Sequence, residues 1–153
     1  MSRGLENSNL ISFPARPRAA DALIPEGRYD ACFLDYQTAF LFHGRAPKVL
    51  AWFQIMTLGP SFETVIPAYY VVRGFRGKPK RRGRFDVGLK SRLARDLAAM
   101  LETRPPLDHI PVDDVSTHIF WIDVRTVSTD SKQQNIPKGA RYSVMDRVIG
   151  VVA

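Results

Sequence analysis

The stretch RYDACFLDYQTAFLF, residues 28–42, decides the fold, because its side chains alternate between two characters. Tyr29, Ala31 and Phe33 fall on one face, and the residues between them are charged or small. Alternation with a period of two predicts a β-strand. The run is longer than an ordinary strand, so we expect a bend or bulge near residues 35–37. Such a strand can pair with two neighbours while the sheet curls.

Four more runs of this kind follow, and one helical pattern lies among them. The helix is predicted over Val87–Thr103, because leucines recur there every four residues and Arg104-Pro105-Pro106 stops the pattern. The alternating or β-branched runs predict strands over 48–58, 63–72, 117–127 and 140–152. The order is therefore strand–strand–strand–helix–strand–strand.

This order, with a long bent first strand, resembles the oligonucleotide/oligosaccharide-binding (OB) fold, a small five-stranded barrel. The predicted fold class is thus all-β with one helix, a five-stranded OB-like barrel over residues 24–153. Residues 1–23 contain several turn-forming residues and no periodicity, so we expect a flexible N-terminal arm. A five-stranded antiparallel sheet of another topology is the alternative.

The charge of the chain is concentrated in RGFRGKPKRRGR, residues 73–84, which we call the basic segment. It holds seven positive side chains and no acid, whereas the whole chain has 22 Lys and Arg against 15 Asp and Glu. Without these seven, the remaining charges balance. Local positive charge beside aromatic residues suits a polyanion with bases that can stack. A flexible, solvated loop is the plain alternative.

Two tryptophans are the predicted stacking platform. Trp52 shares a strand face with Lys48 and Gln54, and Trp121 shares one with Arg125, in each case opposite the apolar set. Burial against a second layer is the alternative for each indole. Tyr69 and Tyr70 are adjacent, so one of the two is expected to face outward; Tyr70 is taken as the candidate.

Cations in the last predicted hairpin could contact the bound nucleic acid from the opposite side. Surface charges that only keep the protein soluble explain them equally well. The complete set of predicted nucleic-acid-binding residues is Lys48, Trp52, Gln54, Tyr70, Arg73, Phe75, Arg76, Lys78, Lys80, Arg81, Arg82, Arg84, Phe85, Trp121, Arg125, Lys132, Lys138 and Arg141.

Three stretches, 24–31, 49–55 and 120–127, make the chain similar to OB-fold single-stranded DNA-binding proteins of phages and mobile elements. This resemblance implies a non-catalytic protein that binds single-stranded DNA with weak sequence preference during replication or recombination. Bacterial housekeeping single-strand binders end in an acidic recruiting tail, whereas this sequence ends in the strand-like residues 147–153. Recruitment of partners by such a tail is therefore not expected.

Enzymatic activity is not expected. His43, His109 and His118 are scattered, and no metal-ligand or paired-carboxylate spacing occurs. The acids at 108, 113 and 114 are interpreted as turn and cap residues. The Gly74–Gly77 spacing lacks the remaining features of a phosphate-binding loop. No cofactor or metal is predicted.

The sequence also bounds the location and the partners. It has one cysteine, Cys32, which excludes an internal disulfide. No apolar run approaches the roughly 20 residues that span a bilayer, and the start lacks a signal peptide. We therefore expect a cytoplasmic protein that binds no membrane. RNA as ligand, a homo-oligomer, and an accessory module whose basic segment docks on an acidic protein are left open.

Overall fold

The structure, a computed structural model, describes residues 22–41, 46–130 and 132–153. Most of the predicted N-terminal arm lies outside these residues. Its last two, Ala22 and Leu23, lead into the sheet, and the Ala22 carbonyl oxygen accepts a hydrogen bond from the Ser143 amide at 2.9 Å.

The described residues form a β-rich fold built on one five-stranded antiparallel sheet, which confirms the coarse prediction. The elements are β1 Gly27–Leu41, β2 Ala46–Ile55, β3 Val65–Val71, β4 Gly74–Arg76, β5 Arg84–Asp86, α1 Arg92–Leu101, α2 Val112–Val115, β6 Ile119–Val127, a 3-10 turn Lys138–Ala140 and β7 Tyr142–Val151. The strand order in the sheet is β3-β2-β1-β6-β7. The two-stranded hairpin β4–β5 and the one-turn helix α2 were not predicted.

Strand β1 is the central strand and pairs with two neighbours. Its residues 27–32 pair with β6, and its residues 31–41 pair with β2. The register with β2 shifts between Phe33 and Asp35, just before the region where a bulge was predicted. The bulge bends β1, so its second half leaves β6 and exposes a strand edge there.

One core cluster combines residues of the sheet and of α1. Phe33 and Phe53 from β1 and β2 meet edge to face, with ring centroids 5.4 Å apart. Leu93 and Leu97 from α1 are buried in the same cluster. Neither α1 nor any other helix of the described residues is long and apolar enough to cross a membrane.

The helix begins later than predicted. The Ser91 hydroxyl accepts a hydrogen bond from the Ala94 amide at 3.1 Å and caps the first turn, so α1 starts at Arg92. Leu89 belongs to the leucine series of the sequence but lies before this cap and is exposed. The series therefore overextended the predicted helix by about one turn.

The two edge strands approach each other without pairing. Cα atoms of β3 and β7 come within 8 Å, yet no ladder joins these strands in the described residues. The sheet is thus not closed into the predicted barrel. We call this gap the seam.

Two side chains of α1 bridge the seam. Arg92 donates to the Tyr69 carbonyl oxygen on β3 and to the Met145 carbonyl oxygen on β7, each at 3.0 Å. One turn later, Asp96 accepts from the Tyr70 hydroxyl at 2.6 Å and from the Val148 amide at 3.1 Å. Polar groups of both edge strands are thereby satisfied without a ladder.

Candidate nucleic-acid interface

The second half of the basic segment is fastened to β1. The Thr38 amide donates to the Lys80 carbonyl oxygen, and the Arg82 amide donates to the Tyr36 carbonyl oxygen, both at 3.0 Å. The Thr38 hydroxyl accepts from the Lys80 amide at 2.9 Å. These bonds occupy the edge of β1 that β6 leaves. Residues 80–83 are therefore an anchored extension of the sheet rather than a free loop.

Gly83 permits this close approach. A Cβ atom at position 83 would lie 2.4 Å from the Thr38 hydroxyl oxygen and 3.1 Å from the Lys80 carbonyl oxygen. The Gly83 carbonyl oxygen also accepts from the buried Tyr36 hydroxyl at 3.0 Å. A side chain here would push the basic segment off β1.

All seven cations of the basic segment are exposed, and carboxylates meet five of them. The ion pairs are Arg73–Asp86 at 3.8 Å, Arg76–Asp108 at 3.6 Å, Arg84–Asp108 at 2.7 Å, Arg81–Asp35 at 2.5 Å and Arg82–Asp35 at 2.9 Å. Three carboxylates thus face seven cations, which leaves four positive charges in excess. Lys78 and Lys80 have no carboxylate within 4.0 Å in the part of the chain described.

Two of these carboxylates orient arginines. Asp35 is buried on β1, accepts from the Nε atoms of Arg81 and Arg82, and also accepts from the Tyr36 amide at 2.8 Å. Since each guanidinium uses one N–H group here, its remaining donors stay available to a ligand.

Asp108 is the second orienting carboxylate. Its hydrogen bond with His109, and then the charges of Arg84 and Arg76, hold the pKa of Asp108 below its usual value. It therefore stays ionised and keeps Arg84 in place at neutral pH.

An aromatic pair with one exposed ring links the end of β1 to the basic segment. The rings of Phe40, at the end of β1, and Phe75, on β4, lie 4.9 Å apart at 59°. Phe40 is 48% exposed, and Phe75 is half-buried. Phe75 was predicted as a site residue, but Phe40 was missed. Phe40 pairs with Pro47 on β2 but lies beyond residues 27–32 of β1, which pair with β6, and alternation of side chains does not reveal where that pairing ends.

Phe85 is not part of any binding surface, contrary to the prediction. It is fully buried and packs edge-on against Tyr36 at 6.1 Å. Phe75 and Phe85 face each other in the β4–β5 ladder, and the inner of the two belongs to the core.

The prediction that Trp52 forms a platform is also wrong. Its side chain is only 3% exposed. Strand β2 is an interior strand, and the ladder partners of Trp52 are Asp35 on β1 and Pro67 on β3, both buried. Leu50, two residues earlier on the same face, is buried as well. Both faces of β2 are therefore covered at this point.

The neighbours of Trp52 on that face are half-buried. The Gln54 side chain donates to the Glu63 carbonyl oxygen at 3.4 Å. Burial, and then the charge of Arg92, lower the pKa of Lys48. Both side chains are therefore partly covered within the sheet rather than fully presented to a ligand.

Tyr70 belongs to the seam rather than to a binding face, again contrary to the prediction. It is buried, its hydroxyl donates to Asp96, and the Arg92 guanidinium lies 4.6 Å from its ring centre. Burial and the charge of Asp96 raise its pKa well above the usual value.

Trp121 has the exposure that the sequence predicted. The indole is 46% exposed on β6. Its ladder partners are Asp30 on β1 and Gly150 on β7, and Gly150 has no side chain to cover the ring. Arg125, on the same face, is exposed and paired with Asp146 at 3.0 Å.

Strand β6, which carries Trp121, and the basic segment lie along the same edge of β1. Trp121 is in register with Asp30, and Arg81 forms a bridge with Gln37. At about 3.3 Å per residue, these two points are about 23 Å apart along the strand.

The three predicted cations between β6 and β7 make local contacts only. The Lys132 amide donates to Asp130 at 2.8 Å, Lys138 opens the 3-10 turn, and Arg141 donates to the Ile136 carbonyl oxygen at 3.3 Å. Within the described ranges, none has a hydrogen bond or ion pair with the basic segment.

A groove that the sequence did not predict borders the basic segment. Its volume is about 430 Å³. The lining residues are Tyr36, Arg82, Arg84, His109, Ile110, Pro111, Val112, Asp113 and Asp114. The acids among them were interpreted as turn and cap residues, because sequence spacing does not reveal that the 109–114 segment lies beside Arg82 and Arg84.

Comparisons with protein-family models, with curated proteins and with solved structures found no match to this chain. The resemblance to single-strand binders therefore stays a prediction.

Proposed function

We propose that this protein binds single-stranded DNA without catalysis and with weak overall sequence preference. The observation that carries the proposal is the anchored basic segment, with four uncompensated positive charges and a Phe40–Phe75 ring pair of which Phe40 is exposed. Flexible cations attract phosphates, and exposed rings stack on unpaired bases. A segment fixed to a strand edge presents its charges with little loss of backbone entropy on binding.

The contacts of the proposed complex divide between two chemistries. Lys78 and Lys80 bind phosphates directly. The guanidinium groups of Arg81 and Arg82 bind phosphates through the N–H groups that do not donate to Asp35. Bases stack on Phe40 and Phe75. Farther along β1, Trp121 offers a second stacking surface.

The sheet supports an OB-type assignment as part of the proposal. The central strand β1 pairs with two neighbours and bends at a bulge, and the edge strands β3 and β7 approach each other. We propose an OB-type sheet in which α1 replaces the closing ladder. Replication or recombination of a mobile element, in the cytoplasm, is the proposed setting.

The test is a titration with labelled oligo-dT at several salt concentrations, read by fluorescence anisotropy. Each phosphate that is neutralised steepens the log–log salt slope by about 0.7, so replacing Lys78 and Lys80 together with alanine is expected to flatten it by about 1.4. Lys90→Ala with Arg104→Ala removes the same charge elsewhere on the surface and is expected to leave the slope nearly unchanged.

Absence of binding at low salt refutes the proposal. A salt slope that is the same in the wild-type protein and in the variant without Lys78 and Lys80 refutes it as well. Single-stranded RNA and duplex DNA of the same length complete the panel. Stacking requires unpaired bases, so the duplex is expected to bind more weakly. Equal binding of RNA and DNA would show that no residue reads the 2′-hydroxyl group.

A further inference from the structure

The groove beside the basic segment combines cations and acids in one concave surface. Arg82 and Arg84 line it from the basic segment, and Asp113 and Asp114 line it from α2. A ligand with negative charge alone would be repelled by the acids, and one with positive charge alone by the arginines. The groove therefore suits a ligand with an anionic part and a hydrogen-bond-donating part.

We infer that this groove holds one nucleotide of the bound strand and selects a base that carries an amino group over thymine. The inference rests on the proposed function, and it adds a site of base readout to a surface otherwise built for phosphates and stacking. Its volume lies within the usual range of small-molecule pockets, about 300–1,000 Å³.

The cationic part of the groove is arranged to meet a phosphate. The Nε atom of Arg82 donates a hydrogen bond to Asp35 at 2.9 Å, and the Nη1 atom of Arg84 donates one to Asp108 at 2.7 Å. Each guanidinium is thus oriented by one carboxylate and keeps other N–H groups for a ligand. His109 is tied at Nδ1 to Asp108 at 2.8 Å, which leaves Nε2 for the ligand.

The remaining lining discriminates between bases. Ile110, Pro111 and Val112 supply apolar surface for a sugar or a ring. The carboxylates of Asp113 and Asp114 are exposed, and no hydrogen bond or ion pair occupies them among the described residues. A carboxylate only accepts, so it favours the amino group of cytosine, adenine or guanine and disfavours the thymine carbonyl groups.

The experiment compares oligo-dC with oligo-dT of equal length and equal salt, so that the phosphate contribution is the same. The wild-type protein is expected to bind oligo-dC roughly tenfold more tightly. Replacing Asp113 and Asp114 together with alanine removes both acceptors and two negative charges. This variant is expected to lose the preference and to keep or strengthen the binding of oligo-dT, which also shows that it is folded. Glu63→Gln with Glu102→Gln removes the same charge outside the groove and is expected to keep the preference.

Equal affinity of the wild-type protein for both oligonucleotides overturns the inference and leaves the proposed function intact. A preference that survives in the Asp113→Ala, Asp114→Ala variant also overturns it, because the acids would then read no base. Failure to bind either oligonucleotide at low salt overturns the proposed function as well.

Discussion

At the scale of single residues, Arg92 and Asp96 connect the two edge strands of the sheet. They stand one helical turn apart, and each contacts both edge strands of the sheet. Burial raises the pKa of Asp96 above its ordinary value of 3.8, although the hydrogen bonds from Tyr70 and Val148 and the charge of Arg92 act against the rise. The carboxylate thus satisfies two buried donors at the seam, and its burial disfavours the ionised form.

Replacing Asp96 with alanine is expected to lower the free energy of unfolding by about 3 kcal/mol, because the Tyr70 hydroxyl and the Val148 amide lose their buried acceptor. Urea denaturation measures this loss. Asp113→Ala, at an exposed carboxylate, is expected to change stability by less than about 0.5 kcal/mol. Similar losses in both variants would show that the seam does not depend on Asp96.

The raised pKa of Asp96 also predicts the sign of a pH effect. The native state binds this proton more tightly than the unfolded chain, so the contribution is complete below about pH 3.8 and is lost as the pH rises through the native pKa. Asp96→Asn has no such titration. The stability of the wild-type protein relative to Asp96→Asn is therefore expected to fall as the pH rises above 3.8. A rise in this relative stability with pH, in paired denaturation curves, would contradict the assignment.

At the scale of elements, the strands could be predicted more readily than the helix boundaries. Period-two alternation and runs of β-branched residues located all five sheet strands to within a few residues. The leucine series placed the helix but not its start. Ser91 was the available signal, since its hydroxyl caps the first turn. The β4–β5 hairpin is short, and its sequence was interpreted only as charge.

The basic segment has a defined position because its residues 80–83 are hydrogen-bonded to β1. Replacing Gly83 with alanine is expected to destabilise the protein by about 1–3 kcal/mol, because a Cβ atom at position 83 would collide with Thr38. Hydrogen exchange at the Thr38 and Arg82 amides is expected to accelerate with it.

The control is Gly74→Ala in the same hairpin, where nothing lies within 4 Å of an added Cβ. It is expected to leave both amides protected. Equal protection in the Gly83→Ala and Gly74→Ala variants would show that the segment does not depend on its close approach to β1.

At the scale of the whole molecule, the site residues were predictable by type but not by exposure. The sequence located the seven cations, yet the carboxylate that orients two of them, Asp35, lies more than 40 positions away in the chain. Trp52 and Trp121 have similar strand patterns. Both lie on interior strands of the sheet, yet Trp52 is covered beside the buried residues Asp35 and Pro67, whereas Trp121 is exposed beside Gly150. Such differences depend on which residues of the neighbouring strands come into register, and alternation does not encode that.

The seam has a consequence for how the protein is made. Val148 follows its partner Asp96 by 52 residues, and a nascent chain leaves the ribosome from its N-terminal end. The helix and the first three strands of the sheet therefore emerge while Arg92 and Asp96 still face water on one side. Only the arrival of residues 142–151 gives both side chains their second set of partners, so assembly of this fold is completed late.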